Sequence, residues 1–567
     1  MRYRRVLSAA TMVLATQAFA QIPAIPDARR SGAVAGSSGV TLQRQIEEDR
    51  RRREEDREPA RPITDPLRRE VQETPVAQPG AESIRFMVRE IRFTPTDLLS
   101  PEELAAIANE FQGRELSLAD LQQVAARVNE LYRKKGVVTA QAVIPPQDVS
   151  TGIVTVRLVE GRLGKISIEG NESTNESYVI NRLRLQPEDL MDLGRLEAAL
   201  VRFNRTNDVQ LQAELKPGEQ FGTTDLNIVM TEPPRQELRL TVDNLGATST
   251  GVNRAGLSYI NRSLLGFRDD LGLSTTQAYG QESYAATYGF PINTWGGRLN
   301  LGYYDTYTAI KNGSLASLNI TGKSIAQIVS LRQPAYVDSS AQIDVIVGGK
   351  TGRNTNWIDS VFLLRTETSE GNVGIEAQLF DKQSNWFAGY IRSYGNARAT
   401  TQAETGSRNS YIIDRGALRY NRALDYGLSF RGNLSWQSSN RDNLPSSELF
   451  FIGGEGSVRG YPVGVFSGAS GQVINLELHH PLVAVSDSTY GMGATGFFFF
   501  DYGRVKPLLP LNSTLDDHES LRGVGWGMNA TLGKHVYARL TFGYGLDEVP
   551  LQPRNYAINF QVIGSAF

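Results

Sequence analysis

The sequence predicts a multi-domain membrane protein: two small α/β domains, then a membrane-spanning antiparallel β-barrel of about sixteen strands. Three observations predict it. The chain opens on a secretion signal. A helix-bearing pattern returns at an offset of 75 residues, from Ile91 to Ile166. Alternating, turn-punctuated sequence fills residues 235–567, with no apolar run long enough for a helical span.

Arg2, Arg4 and Arg5 precede an apolar stretch from Val6 to Phe19 that ends Ala18-Phe19-Ala20. Basic, apolar and small-residue regions in that order make residues 1–20 a signal peptide, cleaved between Ala20 and Gln21. As an uncleaved anchor the segment is too short, and Ser8, Thr11 and Thr16 interrupt it. A formal net charge of −2 gives no case for a nucleic-acid partner. Zero cysteines exclude disulfides and thiolate metal sites.

Residues 21–58 form an N-terminal segment, small-residue-rich to position 40 and then almost wholly charged over about 41–58. Glu47–Arg51, Glu48–Arg52 and Asp49–Arg53 are acid-to-base pairs four apart, each supporting a helix by a few tenths of a kcal/mol. By its residues alone this is a solvated helix or charged tract. Pro59, Pro62, Pro66, Pro75 and Pro79 end it and make residues 59–84 a semi-rigid linker.

The repeat fills residues 85–161 and 162–234. Its offset maps Leu118 to Leu193, Leu121 to Leu196, Ala125 to Leu200 and Val128 to Phe203, a spacing that predicts one buried helix face per copy. Val154, Val156 and Leu158 alternate as a strand, as does the segment Lys165–Glu169 that opens the second copy. Each copy reads strand, helix, helix, strand, strand, with turns at Gly161 and Gly170-Asn171.

Beyond residue 235 the sets Leu238/Leu240/Val242, Leu299/Leu301/Tyr303, Tyr537/Arg539/Thr541 and Tyr556/Ile558/Phe560/Val562 alternate with polar residues. Asn312-Gly313, Glu370-Gly371-Asn372 and the polar run 438–443 are expected as turns. A barrel alternates lipid-facing with lumen-facing residues, and closure is what satisfies a β-backbone in lipid. Late in this tract stand Gly456-Ser457-Val458-Arg459-Gly460-Tyr461 and Phe499-Phe500-Asp501-Tyr502-Gly503. A cation on a loop and an anion on a barrel strand meet when the loop folds inward, which predicts an obstructed pore.

Signal, charged segment, proline-rich linker, two repeats and barrel together resemble the TpsB transporters of two-partner secretion (ShlB/FhaC/HecB-like), a branch of the outer-membrane superfamily that includes BamA. Val458-Arg459-Gly460-Tyr461 matches the family's VRG(F/Y) motif on the sixth extracellular loop, and Phe499-x-Asp501-x-Gly503 its FxDxG motif on a late strand. The resemblance implies POTRA domains in the periplasm, an outer-membrane barrel and a secreted, TpsA-like exoprotein partner, such as an adhesin, haemolysin or contact-dependent toxin. It also implies that Arg459 pairs with Asp501 on the inner wall and that segment 41–58 is a lumenal plug helix. Phe567 matches the terminal aromatic by which the barrel-assembly machinery recognises its substrates for insertion into outer-membrane lipid. Its parity is opposite to that of Tyr556–Val562, which calls for either a bulge near Gly564 or a different reading of the signal.

No enzyme signature, metal site, cofactor site or nucleotide site is expected. Val347-Gly348-Gly349-Lys350-Thr351 has Asp344 where a phosphate loop needs its first glycine, and is expected as strand and turn. His479 and His480 are adjacent and so face opposite sides of a strand. No Gly-x-Ser-x-Gly elbow occurs. An alternative role, barrel assembly of the BamA type, goes with three or more repeats rather than two.

Overall fold

The computed structural model of the full chain describes residues 67–69, 85–135, 140–220, 222–401, 405–483, 491–507, 518–549, 552 and 554–566. The expected Ala20–Gln21 cleavage site, the charged segment 41–58 and the terminal Phe567 lie outside the described residues.

Strand β1 (Leu67–Arg69) comes from the linker. The first α/β unit follows: β2 (Phe86–Val88), β3 (Glu90–Phe93), α1 (Pro101–Phe111), β4 (Arg114–Leu116), α2 (Leu118–Lys134), β5 (Gln141–Val143) and β6 (Ile153–Val159). The second holds β7 (Arg162–Glu169), α3 (Glu176–Leu183), α4 (Leu193–Thr206), β8 (Gln210–Pro217) and β9 (Thr223–Thr231). Local chemistry sets the helix starts. Ser100 with Glu103, and Ser117 with Asp120, form capping boxes that satisfy backbone donors at the N-termini of α1 and α2.

Both units lay two helices on a three-stranded core sheet, in the orders β3-β6-β5 and β7-β9-β8. The copies differ at two points. The first carries an extra ribbon, β2 with β4. In the second, β1 adds in parallel to the outer edge of β8, with Leu67, Arg68 and Arg69 in register with Ala213, Glu214 and Leu215. Leu121, Val128, Leu193, Leu196, Leu200 and Phe203 are buried as the repeat requires. Leu118 is not, at 45 % exposed. It is the first residue of α2, before the helix turns onto the sheet, and Val124 and Tyr132 fill the face instead.

The repeat also holds a polar element. Asn129 on α2 and Asn204 on α4 stand 75 residues apart, and each side-chain oxygen accepts a backbone N–H from the following strand, Ala142 at 2.6 Å and Leu211 at 2.7 Å. Asn204 also donates to the Leu211 carbonyl at 2.9 Å. A buried asparagine thereby ties helix to sheet, where an unpaired amide would be costly.

The barrel is one closed antiparallel sheet of sixteen strands, from Gln236–Asp243 to Tyr556–Ala566, sealed by pairing of its first and last strands. Val242, Leu257, Val347, Ile375, Phe498 and Ile558 stand on its exposed outer surface. Thr241, Ser283, Ser324, Asp344, Thr368 and Asp501 are buried on the inner one. Apolar-out, polar-in alternation is what a lipid-facing wall requires.

Three expectations change. Glu370-Gly371-Asn372 is no turn but the middle of the eighth strand, Val361–Phe380. Val347–Thr351 likewise lies inside a strand, Ala341–Ile358, and not at a turn. Strands of 18–20 residues form this side of the barrel. A polar lumen takes glutamate on the inner face without ending the strand. Finally, the last strand pairs without register shift through Gly564, so there is no bulge there.

The second unit is seated on the barrel's near rim. Arg268, on the turn between the second and third barrel strands, is fully buried. It holds Asp208 through two nitrogens, one at 2.9 Å, and approaches Glu232 at 3.8 Å. Arg205 of α4 donates to the Ser339 carbonyl at 2.6 Å and covers the Phe380 ring at 3.6 Å. Arg202 stacks on Trp295, and Arg182 donates to the Asn293 carbonyl.

Candidate functional site

The connection between the eleventh strand (Ser429–Ser439) and the twelfth (Ser470–Val483) runs through residues 440–469. Its legs Phe450–Ile452 and Phe466–Gly468 pair as an antiparallel ribbon. Between them the chain turns tightly: Gly453 N–H donates to Ser457 Oγ and Gly454 N–H to the Val458 carbonyl. The tip then lies against the inner faces of the twelfth to fifteenth strands.

Arg459 is buried there to 2 % exposure, and Asp501, on the thirteenth strand, to 0 %. Arg459 Nε and Nη2 donate to the two carboxylate oxygens of Asp501, each at 2.7 Å, and its backbone N–H adds a bond of 3.0 Å to Oδ2. Nη1 donates to Glu477 of the twelfth strand. Asn475, in register with Asp501, donates to Asp501 Oδ1 at 2.7 Å and to the Ser457 carbonyl at 2.6 Å. Phe499 lies under the guanidinium, 3.6 Å from centroid to Cζ. Planar donor, carboxylate fork and ring face match arginine's shape, and lysine reproduces none of them together.

Every described residue of the two expected motifs is part of this contact. Val458 packs among Ile452, Tyr461, Val505 and Leu521. Gly460 takes a φ of +97°, and a Cβ there would lie 2.6 Å from Gly545 N. Tyr461 accepts from Asp547 N–H at 2.8 Å and donates to the Arg522 carbonyl at 2.9 Å. A Cβ on Gly503 would lie 2.7 Å from Val458 Cγ2. Ala20, Gln21 and Phe567 lie outside the described residues.

The sequence reading missed the seat. A Cβ on Gly523 would stand 2.2 Å from the Arg459 carbonyl oxygen, one on Gly543 2.5 Å from Gly460 N, and one on Gly545 2.5 Å from the Tyr461 ring. The loop backbone thus lies directly on bare strand. The signal was available: Gly523-x-Gly525-x-Gly527 and Gly543-x-Gly545 put glycine on one face only, with Trp526 and Tyr544 on the lipid face between them.

Two further anchors went unread. Glu455 accepts from Arg539 at 3.2 Å, Thr541 at 3.0 Å and Asn559 at 3.0 Å, beside the first pair. Just before the ribbon's first leg, Glu448 is 1 % exposed. It accepts from Lys350 of the seventh strand at 2.7 Å and Arg415 of the tenth at 2.8 Å. Gln437 donates to its carbonyl at 2.7 Å, and Glu370 faces Arg415 at 3.6 Å. The loop is therefore held by charge to two stretches of the inner wall, Glu448 to the seventh and tenth strands and Arg459 with Glu455 to the twelfth, thirteenth, fifteenth and sixteenth.

The chain as a whole is similar to known proteins. The family model described as haemolysin secretion/activation protein ShlB/FhaC/HecB matches residues 222–530, more than half of the chain. A ShlB-type POTRA domain model matches residues 86–161. The heme/hemopexin transporter protein HuxB of Haemophilus influenzae is 22 % identical over 431 residues, 71 % of this chain and 72 % of that one. The outer membrane transporter CdiB of Dickeya dadantii is 25 % identical over 412 residues, 70 % and 72 %. Among solved structures, CdiB from Escherichia coli superposes with a TM-score of 0.63 at 19 % identity, covering 93 % of this chain and 98 % of that one. CdiB from Acinetobacter baumannii gives 0.59 at 21 %, covering 93 % and 99 %. The chain belongs to the ShlB/FhaC/HecB family: it is an outer-membrane transporter that exports a partner protein by two-partner secretion, its POTRA region on the periplasmic side.

Proposed function

We propose that the exported partner is a large TpsA-like exoprotein, an adhesin, haemolysin or contact-dependent toxin, and that the loop carrying Arg459 is the latch of its pore. The partner's leading segment binds the periplasmic units in extended form. Loop and charged segment 41–58, the latter lying in the lumen as a plug, yield to it, and folding outside the cell gives direction. Outer-membrane lipid surrounds the apolar band, and the barrel-assembly machinery inserts the chain by way of Phe567. The buried Arg459–Asp501 pair supports this reading most, because it holds a loop folded into the lumen against the inner wall, which a passive solute pore does not require.

Breaking one side of a buried pair costs about 3–5 kcal/mol, since the other charge is left uncompensated. Arg459→Ala is expected to leave a barrel in the outer membrane and sharply reduce export. Quantifying barrel in membranes and exoprotein in the medium tests this, and wild-type secretion by that variant would overturn the latch.

A further inference from the structure

The barrel is taller on one side than crossing a membrane requires. Its sixth to tenth strands run 18–20 residues, where a tilted membrane strand needs about 9–11. The outward faces of these strands mark where the lipid band lies. Trp386, early in the ninth strand, stacks on Tyr420 at 4.1 Å, and Tyr394 stands exposed eight residues further along. Eight residues make about 27 Å along a strand, or about 21 Å of height at a tilt of about 40°, close to the apolar band of an outer-membrane barrel at about 25 Å. Over that height the eighth strand presents Val373, Ile375 and Leu379 outward. The Ser339 turn, bound by Arg205, marks the periplasmic rim, so Tyr394 lies toward the cell exterior.

Beyond Tyr394 the outer surface changes in two steps. The register sets Thr351, Ser369 and Asn396 side by side across the seventh, eighth and ninth strands, all three exposed. Two residues further out, Arg353, Glu367 and Arg398 make the next row, and Arg365 follows Glu367 on the same face. Arg353 Nε donates to Glu367 at 3.0 Å, with both side chains open to water. Arg365 and Arg398 are exposed and have no carboxylate partner among the described residues. Neighbouring strands lie about 4.8 Å apart and alternate residues about 7 Å, so all four groups fall within about 10 Å of one another along the sheet. Three guanidiniums against one carboxylate make the patch cationic.

The order of these layers selects the lipid. A phospholipid carries its phosphate on the same glycerol as its acyl chains, so its counter-cations belong against the edge of the apolar band. Here a row of hydroxyl and amide groups, about 7 Å deep along the strand, comes between band and cations. That spacing suits a lipid whose phosphates are carried on an acylated sugar. We propose that the outer wall of the seventh to ninth strands binds one phosphorylated, acylated disaccharide lipid of the outer leaflet. Its acyl chains lie on Val373 and Ile375, its sugar meets Thr351, Ser369 and Asn396, and its phosphate sits between Arg365 and Arg398. Guanidinium forks match phosphate oxygens in shape and charge, and the Glu367 carboxylate occupies Arg353 rather than these two. The extra height of these strands serves to carry the polar and cationic rows into the sugar layer.

The test uses the full-length protein in detergent, with bound lipid counted by native mass spectrometry. Bisphosphorylated lipid A is expected to stay bound through detergent exchange. The same lipid stripped of its phosphates, and phosphatidylglycerol, are each expected to bind about ten-fold more weakly, the worth of one charge-assisted hydrogen bond. Arg365→Gln with Arg398→Gln is expected to bring lipid A down to that level. Arg422→Gln, at an exposed arginine beside Tyr420 near the periplasmic rim, is expected to change nothing. Heat-modifiable mobility on gels checks that each variant barrel is folded. Phosphatidylglycerol held as tightly as lipid A would overturn the role of the sugar row. Dephosphorylated lipid held as tightly would overturn the phosphate contact, and that arm needs no variant. An equal loss in Arg422→Gln would overturn the site in favour of general charge attraction, and a second copy of the chain on this wall in place of lipid would overturn it outright.

Discussion

Arg459 faces two carboxylates, Asp501 and Glu477, and lies on the Phe499 ring, so charge, hydrogen-bonding shape and a flat surface are all matched at one side chain. Arg459→Lys keeps the charge but loses the bidentate fork and the stack. Its export is expected to fall nearly as far as that of Arg459→Ala, measured as exoprotein per inserted barrel. Gly523 offers a test that alters no charge. A methyl there would meet the Arg459 carbonyl at 2.2 Å, against backbone that cannot turn aside. Gly523→Ala is expected to reproduce the Arg459→Ala defect, while Gly371→Ala, where a Cβ meets nothing within 4 Å, leaves export unchanged. The two motifs were legible because both their residue types and their spacing are unusual. The glycine seat was not, since period-two glycine in a strand carries meaning only once something is known to lie on that face.

Within the loop element, the ribbon of Phe450–Ile452 and Phe466–Gly468 lies between two charged anchorages on separate stretches of the inner wall. Glu448 is the anchor before the ribbon, with Lys350 and Arg415 as its donors. Glu448→Gln keeps the shape but removes the charge, leaving two half-buried cations with Glu370 as their facing anion. A cation withdrawn from water and stripped of its partner is destabilising. The variant is expected to show larger and more frequent conductance openings than wild type in planar bilayers, with unchanged barrel insertion. Equal conductance would mean that the Arg459 contact holds the loop alone. Glu448 had no motif around it in the sequence. Its partners are 98 and 33 residues away, and such separations become contacts through barrel closure, which alternation alone does not specify in register.

Across the whole molecule, repeat and alternation gave the architecture its legibility: a 75-residue offset recovers both α/β units, and parity recovers the two faces of the barrel. Strand lengths were harder, because tall strands with polar inner residues imitate turns, as at Glu370-Gly371-Asn372. The docking of the second unit was invisible as well; it depends on Arg268 and Arg205 meeting acceptors that the fold alone brings near. Arg268→Ala strands Asp208 and Glu232 at the rim. It is expected to make the join protease-sensitive and to lower export while the barrel stays folded, by limited proteolysis of membranes. Whether these parts serve one exported partner is decided by deleting the gene and comparing the proteins released into the medium. One large exoprotein is expected to be missing, restored by the wild-type chain but not by Arg459→Ala. An unchanged set of released proteins, or a broad loss of outer-membrane barrels, would contradict it.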